Sequence, residues 1–481
     1  MNMTESSIWV TAPARVAETH ISVLLFFGVK VYKIHKPVRF DFLDFRDRSA
    51  RAADCHREVE LNRRLAPDVY LGVADLFMDG EPVDHMVVMR ALPEGRQLAS
   101  LLQGDEDVET WLDRVSAVLS SFHRTAVRST EISECASPSA LTLKWKDNFE
   151  EVTRLVDSPL DTRVEAEIRC LVVHWLSSHQ ALLETRMAEG HICDGHGDLQ
   201  ASDIYCLEDG IRILDCLEFS DRLRWDDVCA DVAFLAMDLE RLGHPDAASM
   251  FVTAYERHSE HRLPPSLLHL HMGLRAYVRA KVSCLRSEQN GAVLNSACDL
   301  QALALKHLRS ARSALVLVGG LPGTGKSTLA AGLAAETGWQ LIRSDEIRRH
   351  QSEGPDRYAP ESRAAVYEEL FSAAREQLAN GESVILDASW ISAEERGLAA
   401  QVAEDTESEL LSICCVCDDS IGADRIKERL ARGDDISEAS VAVRDVMETG
   451  MDVCPSAIVI DTSHTPASVN LESALSKMVP R

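Results

Sequence analysis

Residues 320–327 read GLPGTGKS and satisfy the pattern G-x-x-x-x-G-K-[ST] at every fixed position. An apolar run, ALVLVGG (314–320), leads into them, and an alanine-rich stretch, STLAAGLAAE (327–336), follows. Strand, glycine loop and helix in that order begin an α/β unit. Glycines let the chain turn so that successive N–H groups face one point, and the helix starting near Lys326 adds its dipole there. Such a loop holds phosphate. Gly320, Gly323, Thr324, Gly325, Lys326, Ser327 and Thr328 are the expected nucleotide contacts. Lys326 would reach the β- and γ-phosphates of ATP, and the Ser327 hydroxyl would ligate Mg²⁺.

Downstream the pattern continues. LVLV (315–318), QLIRS (340–344), SVILD (383–387), LLSICCV (410–416) and AIVID (457–461) read as strands separated by helical segments. In residues 362–381, Val366, Leu370, Ala374 and Leu378 recur at helical spacing before the stop signal Asn380-Gly381. This predicts a five-stranded parallel sheet covered on both faces. Asp387 ends its strand at the edge where ligands gather and is a candidate to order magnesium waters. Asp345 reads as a base for an attacking hydroxyl, as a helix cap, or as both, and Arg348 as a substrate-holding group. Arg425, Arg429 and Arg432 share one helix face. They form either a lid over the phosphates, with Arg429 and Arg432 as contacts, or a salt-laced solvent face. Cys414, Cys415 and Cys417 lack a paired knuckle and read as residues of a buried strand.

Upstream of residue 314 the organisation differs. HISVLLFFGVKVYKI (20–34) and VDHMVVMRAL (83–92) read as strands around one helical pattern, ARAADCHREVELNRRLA (50–66). A mostly helical region follows, interrupted at 204–219 by a hairpin with Asp209-Gly210 as its turn. The expectation is a domain of residues 1–313, with a small β-rich lobe and a larger helical lobe, followed by a domain of residues 314–481.

The first domain carries a second chemical signal. His196-Gly-Asp198 is followed by Asp203 and then by Ile213-Leu-Asp215. The string resembles the H-x-D-x-x-x-x-N catalytic loop and metal aspartate of protein kinases, and its H-G-D form resembles aminoglycoside phosphotransferases and related small-molecule kinases. By that resemblance Asp198 is the base, Asp203 and Asp215 hold magnesium, Lys33 pairs the phosphates and Glu58 is its helix partner. Glu58 shares a helix face with Cys55, Val59 and Asn62, which turns it inward, whereas Glu60 points away. Gln200 stands where many relatives carry a second His, and Asp203 where they carry Asn. No G-x-G-x-x-G occurs near the start, which leaves Thr19–Phe27 as the segment to cover the nucleotide.

Five strings together, VYKIHKPVRFDFLDF, REVELNRRLAPDVYLGV, GHGDL, ILDCLEFSDRLRWDDVCADVAFLAMDL and GLPGTGKSTLA, resemble a bacterial family of fused proteins. That family joins an aminoglycoside-phosphotransferase-like domain to a P-loop kinase domain similar to gluconate kinases and zeta-type toxins. The resemblance implies a bilobal protein-kinase-like fold, then a P-loop NTPase fold, and assigns Asp231 a structural role beneath the catalytic loop.

Charge narrows the partners. The 481 residues carry 50 basic and 77 acidic side chains, a net of −27. Residues 314–481 hold 15 basic and 29 acidic side chains, so the P-loop domain offers no track for a nucleic-acid backbone. No apolar run reaches the roughly 18 residues of a membrane helix. The start, MNMTESSIWV, lacks a signal-peptide pattern, and the odd, scattered cysteines suit reduced thiols of a cytoplasmic protein. The function expected is ATP- and Mg²⁺-dependent phosphoryl transfer to hydroxyls of small metabolites of sugar or amino-sugar type. The alternatives are one P-loop kinase regulated by a ligand-sensing domain, or a P-loop ATPase switch. Oligomeric state is not legible.

Overall fold

The computed structural model of the protein describes residues 15–478 apart from 20, 41–42, 105–106, 156–157, 291–293, 352–359 and 433–439. Side chains at 40, 43, 286–290, 294–295, 351, 360–361 and 432 also lie outside the described set. Packing divides the chain into two compact units. One comprises residues 1–144, 186–263 and 274–279, and the other comprises 145–185, 264–273 and 280–481.

The first unit opens with β1 (Arg15–Glu18), β2 (Ser22–Phe27) and β3 (Lys30–His35). Helix α1 (Arg48–Asn62), β4 (Tyr70–Met78) and β5 (Glu81–Arg90) follow. The strands make an antiparallel sheet in the order β1-β2-β3-β5-β4. Alternation along β3 buries Val31, Lys33 and His35 on one face. Helix α1, capped by Asp47, lays Cys55, Glu58, Val59 and Asn62 against that face, where Cys55 and Val59 join Val31, Tyr70 and Val87. Thr19–Phe27 is not a covering loop. Strand β2 already begins at Ser22, because Ser22–Phe27 pairs in full register with β3. Thr19 Oγ1 accepts the Ser22 N–H at 2.9 Å and Lys36 Nζ donates to the Thr19 carbonyl at 2.6 Å.

The remainder of this unit is built on α2 (Val108–Thr125), α3 (Val228–Arg241) and α4 (Pro245–Ser259). The hairpin β6 (Ile204–Leu207)–β7 (Gly210–Ile213) is set among them. Gly210 pairs with Leu207, so the turn is Glu208–Asp209, one residue earlier than the glycine suggested. Helix α3 is apolar nearly all round and buried from Val228 to Leu239. Residues Leu274–Arg279 of helix α5 (Pro265–Asn290) complete the unit. A five-stranded sheet with one helix, then a helical lobe carrying a small hairpin, is the bilobal protein-kinase-like fold.

In the second unit a parallel sheet runs in the order β9-β10-β8-β11-β12. Its strands are β8 (Ala314–Gly319), β9 (Gln340–Arg343), β10 (Val384–Asp387), β11 (Glu409–Val416) and β12 (Ile458–Asp461). The helices between are α6 (Lys326–Thr337), α7 (Ser344–Gln351), α8 (Pro360–Ala379), α9 (Ala393–Asp405), α10 (Asp419–Arg432) and α11 (Val441–Thr449), with α12 (Ala467–Met478) last. Side chains of β8 alternate between two cores. Leu315 and Leu317 meet Val366, Leu370 and Phe371 of α8. Val316 and Val318 meet Leu329 and Leu333 of α6 and Met478 of α12. This is a P-loop NTPase fold, a mixed α/β architecture alongside the first. The same compact unit takes in the helices Thr162–Ser178 and Leu294–Ser310, which pack on each other. No described helix is long and apolar enough to cross a membrane.

The central position of β8 sets a stability contrast. Leu317 is 1% exposed and Val459, on the edge strand β12, is 57% exposed. In urea melts, Leu317→Ala should lower the unfolding free energy by about 2–5 kcal/mol. Val459→Ala should lower it by less than about 1 kcal/mol. Equal losses would contradict this placement of the two strands.

Candidate functional site

The string His196-Gly-Asp198 lies between the short strand Ile192–Asp194 and the β6–β7 hairpin. One carboxylate fixes its backbone. Asp231, in the first turn of α3, accepts the N–H of His196 at 2.7 Å and of Gly197 at 2.8 Å, and meets Nε2 of His123 at 3.1 Å. Nδ1 of His123 in turn meets the Tyr255 hydroxyl at 2.8 Å. Burial alone would raise the Asp231 carboxyl, but His123 and the loop N–H group of His196 outweigh it and hold the carboxyl well below its ordinary value. A Cβ at Gly195 would come within 2.6 Å of Asp231 Oδ2, so the close approach needs glycine there. Two turns along α3, Asp238 accepts the N–H of Ala201 at 3.0 Å.

This scaffold presents three carboxylates. Asp198 is half-buried and accepts from Gln200 Nε2 at 3.1 Å; burial and then the charge of Asp215 push it up to about 6. Asp203 is held well above its usual range by burial, then by Asp215 and Asp198. Asp215 is held low, the charge of Lys33 outweighing burial. Lys33 Nζ lies 2.9 Å from Glu58 Oε1 and 3.3 Å from Asp215 Oδ1. Burial opposes the Lys33 charge, yet Glu58, Asp215 and Glu218 keep the ammonium well above its ordinary value. Glu58 is fully buried and Glu60 exposed, as the helix face required. From the same face of α1, Asn62 Oδ1 accepts the Cys216 N–H at 2.9 Å, while the Tyr70 hydroxyl takes the Asp215 N–H at 3.2 Å.

In the second unit the phosphate loop is tied down from behind. Thr324 Oγ1 donates to the Leu321 carbonyl at 2.8 Å, and Arg444 Nη1 to that of Pro322 at 2.7 Å. Arg425 Nη1 reaches the Gly323 carbonyl at 3.4 Å, and the Thr462 hydroxyl donates to that of Thr324 at 2.8 Å. With four successive carbonyls held outward, the N–H groups opening α6 are left for a ligand, since helix geometry gives them no acceptor. Gly325 stands at the helix N-cap with φ of +80°. Gly320 has φ of +136°, and a Cβ there would sit 2.7 Å from Thr324 Oγ1. Lys326 and Ser327 are half-buried at the start of α6, and Thr328 is exposed one position on.

Asp387 is 4% exposed at the end of β10; its Oδ2 accepts from Arg343 Nε at 3.2 Å, and its Oδ1 is buried without a hydrogen-bond partner among the described residues. A spare hard oxygen beside the phosphate loop fits a magnesium hydration shell. In the first unit, Asp203 and Asp215 form a crowded negative pair that a divalent cation would relieve. Among the described residues no three His, Cys, Asp or Glu side chains gather closely enough to hold an ion.

Asp345 and Arg348 are ion-paired within α7. That helix begins at Ser344, so Asp345 sits inside the first turn rather than ahead of it. Arg425 is a brace of the loop, bonded also to the Thr462 carbonyl at 2.7 Å, and not part of a lid. Arg429 is half-buried on α10, and the Arg432 side chain lies outside the described residues. Cys414 and Cys415 run in β11. Sequence reading missed His123, Tyr255, Arg343, Arg444 and Thr462, which belong to no local motif, and Asp238, which lies within a quoted string but was given no role. It also missed Arg275 and Arg279 on α5. Arg279 donates to Gln200 Oε1, and Arg275 lies 4.9 Å over the Phe234 ring.

A family model described as an AAA domain matches residues 315–453. A solved choline/ethanolamine kinase family protein from Mesorhizobium loti is 12% identical, covering 63% of this chain and 92% of its own, with a TM-score of 0.39. A gluconokinase from Sinorhizobium meliloti is 17% identical, covering 34% of this chain and 90% of its own, with a TM-score of 0.28. The uncharacterized proteins Rv2004c of Mycobacterium tuberculosis and Mb2027c of Mycobacterium bovis are each 38% identical over 440 residues, which is 89% of this chain and 88% of theirs. With that identity sustained across nearly the full length of both chains, the protein belongs to the same family as Rv2004c and Mb2027c.

Proposed function

We propose that the chain is a bifunctional ATP-dependent phosphotransferase, with one kinase site in residues 1–313 and another in residues 314–481, each acting on an alcohol group of a small metabolite. The observation that carries the reading is Lys33 in simultaneous contact with buried Glu58 and with Asp215, beside a catalytic loop stapled by Asp231. That arrangement is independent of the phosphate loop at Gly320–Ser327.

In the first site Lys33 would hold phosphate oxygens, its side chain aimed by Glu58. Asp203 and Asp215 would hold Mg²⁺, and Asp198 would take the proton of the acceptor hydroxyl. The acceptor oxygen then bonds to the γ-phosphorus as the bridging P–O bond breaks, and ADP leaves with the bond's electron pair. Magnesium supplies neutralisation of the charge that spreads over the phosphate oxygens. In the second site the N–H groups of the loop and Lys326 bind phosphates, with Arg429 and Arg432 as further contacts. Ser327 and Asp387 serve the metal, Asp345 the acceptor proton and Arg348 the acceptor itself. A second reading, in which the N-terminal domain only senses ligand, draws on the extra negative charge of Asp203 and on the short turn in place of a glycine loop.

Coupled ADP-release assays on the full chain separate these readings. Lys326→Ala should abolish one acceptor-dependent activity and Asp198→Asn the other, each by at least about a hundredfold. Loss of every activity in Lys326→Ala alone contradicts the two-enzyme reading. Acceptor-dependent ADP release that survives Lys326→Ala and dies with Asp198→Asn sinks the sensor.

The pH dependence follows from Asp198, which must be ionised to accept a proton and is pushed up to about 6. Activity at that site should fall as pH drops through that value, about tenfold per unit. Magnesium on Asp215 would draw the midpoint lower, never higher. A rate profile whose acid limb lies above pH 7 contradicts the assignment.

A further inference from the structure

The surroundings of Asp198 bear on what the first site accepts. Arg275 and Arg279 lie four residues apart on α5, hence on one helix face, within the stretch Leu274–Arg279 that packs in the first unit. Both charges act on Asp198, opposing the burial and the Asp215 charge that raise it. Arg279 donates to Gln200 Oε1, and Gln200 donates to Asp198 Oδ2 at 3.1 Å, so Arg279 stands one side chain away from the base. The Arg275 guanidinium lies 4.9 Å over the ring of Phe234. This cation–π contact takes up none of the guanidinium N–H groups as hydrogen-bond donors. The Arg275 Nε is buried and makes no hydrogen bond to any described residue. A buried guanidinium N–H without an acceptor is costly in a folded protein, and a carboxylate or phosphate is the group the planar fork matches best.

We propose that the acceptor of the first site is an anionic alcohol, a hydroxy acid or a phosphorylated sugar, whose carboxylate or phosphate is bound by Arg275 and Arg279 while its hydroxyl faces Asp198. The inference rests on the kinase reading of that site and adds its substrate class. A polycationic amino sugar is disfavoured beside two arginines. A neutral sugar would leave the Arg275 donor unmet. The competing account is that the arginines merely balance the charges of Asp198, Asp203 and Asp215. In that case their removal should change every acceptor alike.

The test uses the full chain carrying Lys326→Ala, so that the phosphate loop contributes no turnover. The probes are glycerate, gluconate, glycerol 3-phosphate and glucose 6-phosphate against glycerol, glucose and glucosamine. They are read by ADP release and, with ADP and Mg²⁺ present, by calorimetric titration. The anionic probes should bind or react at least about tenfold better than the neutral and cationic ones. Arg275→Gln with Arg279→Gln should raise their KM or Kd by at least about tenfold while moving the neutral probes by less than about threefold. Arg275→Lys, which keeps the charge, should retain a preference for the anionic set and guards against a folding artefact. The inference is overturned if no anionic probe binds, if glucose, glycerol or glucosamine is preferred, or if the double substitution shifts all probes equally. Persistence of acceptor-dependent ADP release in Asp198→Asn breaks the kinase reading itself. Loss in Asp198→Asn without an anionic preference breaks only the present inference.

Discussion

A single buried carboxylate, Asp231, is the constraint on which the first site depends. It accepts two consecutive backbone N–H groups and meets a histidine, so the loop between a short strand and a hairpin is held at both its glycine and its histidine. Removing such a group would leave buried donors unpaired and cost several times what an ordinary exposed hydrogen bond contributes. Asp203 is raised by the charges of Asp215 and Asp198, and Asp198 by that of Asp215, so the loop that carries Asp198 and Asp203 has to be held against that repulsion. Helix α3 supplies the fixture because Asp231 and Asp238 fall on it two turns apart, the second steadying Ala201.

The two units build their candidate phosphate contacts by opposite means. In the P-loop unit the backbone is the ligand. Its carbonyls are tied back by Thr324, Arg444, Arg425 and Thr462, and its N–H groups are left facing forward. In the kinase-like unit the candidate contact is a side chain, a strand lysine ion-paired with a helix glutamate. The first device works through glycine and close packing, the second through buried charge. Neither conflicts with the net charge of −27, since each concentrates its few cations where phosphate would lie.

Local pattern made much of this legible. The five strands of the second sheet fall within a residue or two of their expected ranges, most plainly at the fully buried β8 and β10, since a strand buried on both faces must be apolar throughout. Glu58 was separable from Glu60 by helix periodicity, and its burial follows that face. The misplaced hairpin turn has a plain cause. Gly210 looked like a turn residue, yet with φ of +143° it serves as the first paired position of β7. Thr19–Phe27 is excluded as a covering loop because Ser22–Phe27 is strand, paired along its whole length with β3. What remained hidden is tertiary. Arg444 meets the Pro322 carbonyl across more than a hundred residues, and Arg279 meets Gln200 across nearly eighty. No spacing rule links residues that touch only after folding.

Asp215 carries a further meaning. It adopts a φ of +64°, a left-handed conformation that disfavours a residue with a Cβ by about 1–2 kcal/mol. The Tyr70 hydroxyl and Asn62 grip the backbone on either side of the strained bond and keep it there. Glycine at this position would relax the chain while discarding the carboxylate that faces Lys33. The chain thus holds a carboxylate facing Lys33 where a glycine would give a less strained backbone, so local stability and the chemistry of this position pull in opposite directions.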